Sequence, residues 1–367
     1  MEDAEQMKLT IAKETLAAGL AKVAGIVEKK TTIPLLSNIK IEATPDALTL
    51  TGTDLDIEAK TRLDADIERE GVTTVSADIL ANLVKRFKAG SLVTLDYDGA
   101  RLNVSSGKSR VDFATLSADE YPSLSDVEDG VTFTAPASDL ARMFGKTAFA
   151  VSNEETRYYL NGVYFHPGDD GLTAVATDGH RVAVAWSDTK VDFPGVIVPR
   201  KAVAELRKVL DIGDVAVTVT DRKIRFDLGD TVITSKVIDY TYPDYRRVIP
   251  QGLPDTFRAD AKALAGASSL VAMVSEEKVR AVTVDVSSGA VRLSSGGQHH
   301  AEDEVEADVT GGGAVMGFNS KYLADVLAQA DGGDVDAAYD AKNVQSPIVI
   351  TATEDAQFLA VVMPMRV

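Results

Sequence analysis

Leu9-Thr10-Ile11-Ala12-Lys13-Glu14-Thr15-Leu16, Phe133-Thr134-Ala135-Pro136-Ala137-Ser138-Asp139-Leu140 and Phe257-Arg258-Ala259-Asp260-Ala261-Lys262-Ala263-Leu264 are three versions of one segment. Their first residues lie 124 and 124 positions apart. Each opens as a strand and reaches a leucine seven residues later on a helix-like stretch. Pro122, Pro243 and Pro364, spaced 121 and 121, close the three copies. A fixed long period means one folding unit repeated, so function belongs to what the copies form together.

The period predicts two helices per copy. The first run over Glu14 to Ala24, Ala137 to Val151 and Asp260 to Val274. Leu16, Leu20 and Val23 show the helical spacing, and Pro136 and Ser138-Asp139 supply start signals. The second helices align through Leu80, Val203 and Leu323, then Leu83, Leu206 and Val326, and stop at Gly90, Gly213 and Gly333. Between them lie period-two strands such as Leu48-Thr49-Leu50-Thr51, Val93-Thr94-Leu95-Asp96-Tyr97 and Val215-Ala216-Val217-Thr218-Val219-Thr220. Asp98-Gly99 marks a hairpin before Arg101-Leu102-Asn103-Val104. The fold class is α+β: three tandem domains, each two helices on one face of antiparallel sheet. Boundaries near Val127 and Asp255 give domains 1–126, 127–253 and 254–367.

The 367 residues are 45% hydrophobic and 26% charged, the profile of a soluble globular chain. No cysteine means no disulfide, thiolate metal site or cysteine nucleophile. Residues 1–6 are acidic, unlike a signal peptide, and Met7-Lys8-Leu9 begins the repeat itself. The longest apolar run, Ala263 to Val274, is too short to span a bilayer. A cytoplasmic protein is expected.

The net charge of −18 argues against a polyanion partner. Its distribution argues the other way. Over the segments 10–24, 75–89, 134–151, 198–211, 258–274 and 318–331, Lys and Arg exceed Asp and Glu by 6, leaving −24 elsewhere. If the helices share a surface, that surface is positive and suits a loosely held polyanion. Lys85-Arg86 and Arg207-Lys208 also fit the bias that the helix dipole places in last turns.

Several segments resemble one family, the beta subunit of bacterial DNA polymerase III, the replicative sliding clamp. They are Gly52-Thr53-Asp54-Leu55, Arg157-Tyr158-Tyr159-Leu160-Asn161-Gly162, Ala176-Thr177-Asp178-Gly179-His180-Arg181, Val198-Pro199-Arg200-Lys201, Tyr242-Pro243-Asp244-Tyr245-Arg246-Arg247-Val248 and Val361-Val362-Met363-Pro364-Met365-Arg366. The likeness runs in order from Met7 to Val367. It implies a head-to-tail homodimer forming a six-domain ring lined by twelve helices around duplex DNA. Such a ring is held by topology rather than affinity. It tethers the polymerase and so raises its effective concentration at the primer end.

The resemblance implies a peptide-binding groove of Leu160, Thr177, Gly179, His180, Arg181, Val182, Pro243, Arg247, Val248, Val361, Val362, Met363, Pro364, Met365 and Arg366, bordered by Asn319 and Tyr322. Adaptable methionines suit such a surface. Burial of one partner Leu or Phe there is worth about 1.5–3 kcal/mol. Val182 and Val367 are smaller than the family's leucines, which alters pocket depth. The family's DNA contacts fall on Lys30, Tyr158 and Tyr159, with Arg200 and Lys201 as further cations. Lys30 keeps charge but loses bidentate geometry relative to arginine; Glu154 stands where a neutral amide can occur in the family. Two adjacent tyrosines also suit a strand with one ring in the core. The dimer seam is expected to oppose Lys108 and Arg110 to Glu302, Asp303 and Glu304, with Met273 and Val274 beside them. Asp78 and Ile79 replace a basic pair of some relatives.

Two other readings compete. Asp178, His180 and His299 suggest a metal-dependent hydrolase, but Asp178-Gly179 is a turn signal and no nucleophile motif accompanies it. His299-His300 would point to opposite faces of a strand, poor geometry for one ion. A repeat scaffold binding only proteins is the other. The expectation is a non-catalytic processivity subunit without cofactor or metal, whose partners are DNA, polymerases, the clamp loader and repair proteins.

Overall fold

The computed structural model describes residues 6–124, 127, 129–275, 280–287 and 289–366. Residues 1–5 and Val367, read above, lie outside the described residues. Leu9, Phe133 and Phe257 occupy equivalent places. Each is the third residue of a strand that runs into a helix, Lys13–Val23, Ala137–Thr147 and Ala261–Val271. The second and third of these helices end in single 3₁₀ turns, Ala148–Ala150 and Ala272–Val274, and so are shorter than expected. Asp260 caps the third, its carboxylate accepting from the Ala263 amide. The second helices are Ala77–Arg86, Arg200–Leu206 and Ser320–Leu327. Leu80, Val203 and Leu323 are buried as expected, but Val84 rather than Leu83 completes the buried stripe of the first. Gly90 and Gly213 take positive φ as helix stops; in the third copy Asp331 and Gly332 do so, not Gly333.

Among the described residues the strands form four antiparallel sheets. Contacts divide the chain into two compact units. The first, Met1–Ala141 with Lys201–Ile238, holds a sheet of five strands and one of eight. The five run in the order Asp66–Arg69, Met7–Ala12, Leu92–Tyr97, Arg101–Ser106, Ser109–Ala114. The eight join Val131–Pro136, Asp214–Val219, Lys223–Asp227 and Thr231–Lys236 of the middle repeat to Ile57–Leu63, Ala47–Thr53, Asn38–Thr44 and Gly71–Ser76 of the first.

The second unit, Arg142–Arg200 with Asp239–Val367, holds a sheet of nine strands and one of four. In the nine, the middle-repeat strands Val196–Pro199, Gly162–Pro167, Leu172–Thr177 and Arg181–Trp186 meet Asp355–Val362 of the third repeat. The four are His300–Glu306, Ala290–Gly296, Ala281–Ser287 and Ala314–Asn319. The strand order adds to the expected fold that sheets are shared across repeat boundaries. Every repeat splits its strands between two sheets, because a strand edge left at each boundary is satisfied by the next copy.

The three prolines also differ in place. Pro122 and Pro243 lie in connections after the strands Ser109–Ala114 and Thr231–Lys236, whereas Pro364 follows directly on the strand Asp355–Val362. Phe165 is fully buried in the second unit, its ring 5.3 Å from Phe144 and 5.8 Å from Phe193. Phe165→Ala is expected to destabilise the protein by about 3–5 kcal/mol, read as a lower urea midpoint.

Candidate functional site: an apolar surface groove

The site is built in the second unit on two turns and the terminal strand. In the first turn, Asp178 Oδ1 accepts from the amides of His180 (2.9 Å) and Arg181 (3.1 Å), and the Thr177 hydroxyl donates to the Arg181 carbonyl at 2.6 Å. Gly179 sits at φ 89°, a left-handed conformation, and a Cβ there would meet the Arg157 guanidinium. The first repeat builds the same turn with Asp54, whose carboxylate accepts from Asp56 and Ile57, and there Leu55 takes φ 80°. The second turn is the 3₁₀ segment Glu155–Leu160, followed in space by another, Tyr245–Val248.

The terminal strand supplies the remaining wall. It pairs with Arg181–Trp186, placing Val361 opposite Val182, and the Met363 amide donates to the His180 carbonyl at 2.9 Å. The result is a cavity of about 350 Å³. Of the residues named above, Leu160, Thr177, Gly179, Arg181, Val182, Pro243, Val248, Val361 and Met363 line it. Met363 and Val248 remain 41% and 48% exposed, so apolar surface is offered to solvent.

Other expected groove residues lie elsewhere. Val362 is fully buried, since alternation along a strand turns it away from Val361. His180 and Tyr322 line a neighbouring cavity, their rings 5.7 Å apart. Asn319 caps the helix Ser320–Leu327, accepting from the Lys321 and Tyr322 amides. Arg247 is exposed and held by Asp244 at 2.9 Å. Pro364, Met365 and Arg366 pass beyond the cavity, and Met365 bridges to Gly317.

The sequence reading missed Arg157, Tyr159, Asp244 and Tyr245 as lining residues. All four lie inside quoted motifs, so the motifs were legible while the directions of these side chains were not. Tyr158 and Tyr159 belong to a 3₁₀ turn rather than a strand, and neither is in the core. Tyr159 stacks on Tyr240 at 4.8 Å, and Tyr158 meets both rings edge-on.

Arg181 holds the site together. Its side chain is 5% exposed and reaches Asp178 (3.1 Å), Asp325 (2.7 Å) and the Phe149 carbonyl (2.7 Å). Its guanidinium lies 4.5 Å from the Tyr322 ring centre and 5.0 Å from that of Phe149. All three guanidinium nitrogens donate, in three directions fixed by one rigid fork, which no lysine could match. Arg181→Ala leaves Asp178 without its cation and Asp325 with only the exposed Lys321 at 3.1 Å. It should lower unfolding stability by about 3–5 kcal/mol, measured in urea.

Behind the groove wall lies His166, 4% exposed. Its Nδ1 is 2.7 Å from the Pro167 carbonyl and its Nε2 is 3.2 Å from the Tyr245 hydroxyl. A neutral ring satisfies both, donating from Nδ1 and accepting at Nε2. Burial pushes its pKa below the ordinary histidine value; the Pro167 bond opposes this and Arg246 adds to it. The unfolded chain therefore takes the proton first on acidification. Stability from neutral His166 is complete above about pH 6.5 and is lost as pH falls from there toward the depressed folded value. His166→Phe should flatten that part of a Tm-versus-pH curve.

The expected DNA-contacting cations are also engaged. Arg200 donates to the carbonyls of Val151 (2.9 Å) and Ser152 (2.6 Å). Lys201 donates to the Ile26 carbonyl (2.7 Å) and to Asp54 (2.5 Å), with 39% of its side chain exposed. Glu154 pairs with Arg157 at 2.6 Å, and Lys30 is exposed. Among the described residues, no group of three or more His, Cys, Asp or Glu side chains could hold a metal ion. Asp178 of the hydrolase reading is occupied by its own turn and by Arg181. No helix among the described residues is long and apolar enough to cross a membrane.

Tandem helix-and-sheet modules fused edge to edge are the DNA-clamp class of fold. Models of the DNA polymerase III beta subunit match residues 7–125 (N-terminal domain), 134–244 (central domain) and 246–366 (C-terminal domain). The chain is 39% identical to the beta sliding clamp of Caulobacter vibrioides and 36% identical to that of Escherichia coli, in each case over 98% of this chain and 100% of the relative. A crystal structure of the C. crescentus clamp with polyethylene glycol bound to a putative beta-motif tethering region superposes with a TM-score of 0.90 at 38% identity, covering 99% of this chain and 100% of that one. A Bartonella birtlesii clamp bound to griselimycin gives 0.92 at 36% identity, with the same coverage. The chain belongs to the DNA polymerase III beta subunit family, the bacterial beta sliding clamps, whose function is polymerase processivity in DNA replication.

Proposed function

We propose that two copies of this chain close head to tail into a ring around duplex DNA and carry polymerases along it in the cytoplasm, with no catalysis and no cofactor of their own. The domains of this reading are 1–126, 127–253 and 254–367. The observation that carries it is the exposed apolar groove of Leu160, Val248, Val361 and Met363. It suits leucine or phenylalanine side chains of short linear peptides, such as those of a polymerase, clamp loader or repair protein. Each contact is modest, so partners exchange.

DNA is met loosely in this reading. Lys85, Arg86 and Arg207 are exposed on or just beyond the second helices, and Lys30 and Tyr158 on turns. Arg200 and Lys201 first hold their own turns and present only residual charge. Few firm phosphate contacts leave sliding unimpeded.

The ring seam is read at Lys108, Arg110, Met273, Val274, Glu302, Asp303 and Glu304. Met273 is 80% exposed. Its repeat counterparts are Gly25, where a Cβ would meet Glu205 of the next repeat's second helix, and Phe149, which lines a cavity with Tyr322 of the next. By the same rule Met273 enters the cavity of about 540 Å³ between the helices Lys13–Val23 and Ala77–Arg86 of a second copy, beside Ile79, itself 57% exposed.

The test is retention after loading. The clamp should stay on closed circular DNA and run off once the circle is cut. Equal loss from both forms would refute encirclement.

A further inference from the structure

The ladders decide which residues of the first two repeats correspond. Asn38 pairs with Ser76 and Gly162 with Pro199, in each case just where the second helix of the repeat begins. Counting back from Asn38 and Gly162, Leu35 is the counterpart of Tyr159 and Pro34 that of Tyr158. Both pairs belong to 3₁₀ turns, Pro34–Ser37 and Glu155–Leu160. The buried tyrosines Tyr121 and Tyr242, each followed by a proline, align the opposite wall. Two residues before them stand Asp119 in the first repeat and Tyr240 in the second.

In the second repeat the place between these walls is filled. Tyr240 stacks on Tyr159 at 4.8 Å and meets Tyr158 edge-on at 5.4 Å. In the first repeat it is open. Ile33, Pro34, Leu35 and Leu116, with the exposed Asp119 and Glu120, line a cavity of about 530 Å³. Ile33 and Leu116 are 48% and 41% exposed. Both walls are held without an occupant. The Leu36 amide donates to the Ile33 carbonyl at 3.0 Å, and the Ser37 hydroxyl to the Pro34 carbonyl at 2.7 Å. Across from them the Leu116 amide donates to the Thr74 carbonyl at 3.3 Å, and the Thr74 hydroxyl to the Leu116 carbonyl at 2.9 Å. The Tyr121 hydroxyl, 3.0 and 3.1 Å from the carbonyls of Asn38 and Thr51, anchors the end of the segment. A preformed apolar cavity leaves little ordering to oppose binding.

We propose that this cavity of the first unit is a docking site for a partner protein, and that it takes an aromatic side chain flanked by lysine or arginine. The second repeat supplies the ring from its own chain; the first leaves it to be supplied from outside. Such a ring brings about 150–250 Å² of surface to bury. Charge specifies its neighbours. Asp119 accepts from the Ser117 hydroxyl at 2.8 Å, and among the described residues neither Asp119 nor Glu120 is paired with a cation. No lysine or arginine lines the cavity. Two carboxylates without a lining cation favour a basic segment and disfavour a phosphate-bearing one, so the ring is a side chain and not a nucleic-acid base. The proposal rests neither on the two-copy ring nor on the groove of the second unit.

The probe is the peptide acetyl-Arg-Trp-Arg-amide built with fluorotryptophan, titrated with the full chain and followed by fluorine NMR. Its resonance should shift saturably. Leu116→Glu should weaken this binding about tenfold or more, through the apolar burial lost. Glu120→Gln should weaken it about 1.4- to 5-fold, the range of one exposed ion pair. Both residues are exposed, so an unchanged urea midpoint shows that each variant folds. Leu35→Tyr with Asp119→Tyr rebuilds the pair of the second repeat and should exclude the probe. Met363→Glu, which alters the groove, should retain the binding that Leu116→Glu removes. No saturable shift, a shift lost in Met363→Glu but kept in Leu116→Glu, or equal binding of acetyl-Glu-Trp-Glu-amide overturns the proposal. A thymidine oligomer whose binding Leu116→Glu weakens would assign the cavity to nucleic acid and overturn it too.

Discussion

Antiparallel pairing across repeat boundaries is the constraint on which the rest of the structure depends. No repeat closes its own sheets. Thr231–Lys236 completes a sheet begun by the first repeat, and Asp355–Val362 completes one begun by the second. Strand edges exposed by one copy are covered by the next, so backbone groups that would otherwise face water are paired. Among the sheet edges that remain are Ser109–Ala114 of the first repeat and His300–Glu306 of the third.

The groove is a by-product of one such junction. Where Asp355–Val362 pairs with Arg181–Trp186, alternate side chains of the terminal strand point out beside the turn Thr177–Arg181. Past Val362 the chain leaves the ladder, and Met363 lies over the cleft with 41% of its surface exposed. Arg181 then links both sides, binding Asp178 from one repeat and Asp325 from the other. The equivalent junction of the first unit uses Lys201 on Asp54. A point charge suffices there, while the groove requires a fork that also stacks on Tyr322 and Phe149.

Helix-localised charge was legible in the sequence, but its use was not. Arg200 and Lys201 counted as free cations when read along the chain. In the fold they satisfy the carbonyls of Val151, Ser152 and Ile26, since turns between a strand and a helix leave backbone acceptors without partners. The Tyr158-Tyr159 pair was read as bearing on DNA or a strand core, yet a 3₁₀ turn sends Tyr159 to the groove wall and against Tyr240, which no local pattern marked.

The sequence by itself determined the threefold period, the two helices of each copy, the hairpin at Asp98-Gly99 and the motifs that hold most of the groove. These are local or periodic properties, set by spacing, side-chain size and turn chemistry. Tertiary structure alone decided that sheets are shared between repeats, that Tyr245 backed by His166 forms a wall, and which face of the last strand is offered to solvent. Those features depend on how segments 79 or more residues apart are brought together, and a strand's pattern says which side chains share a face without saying what that face will meet.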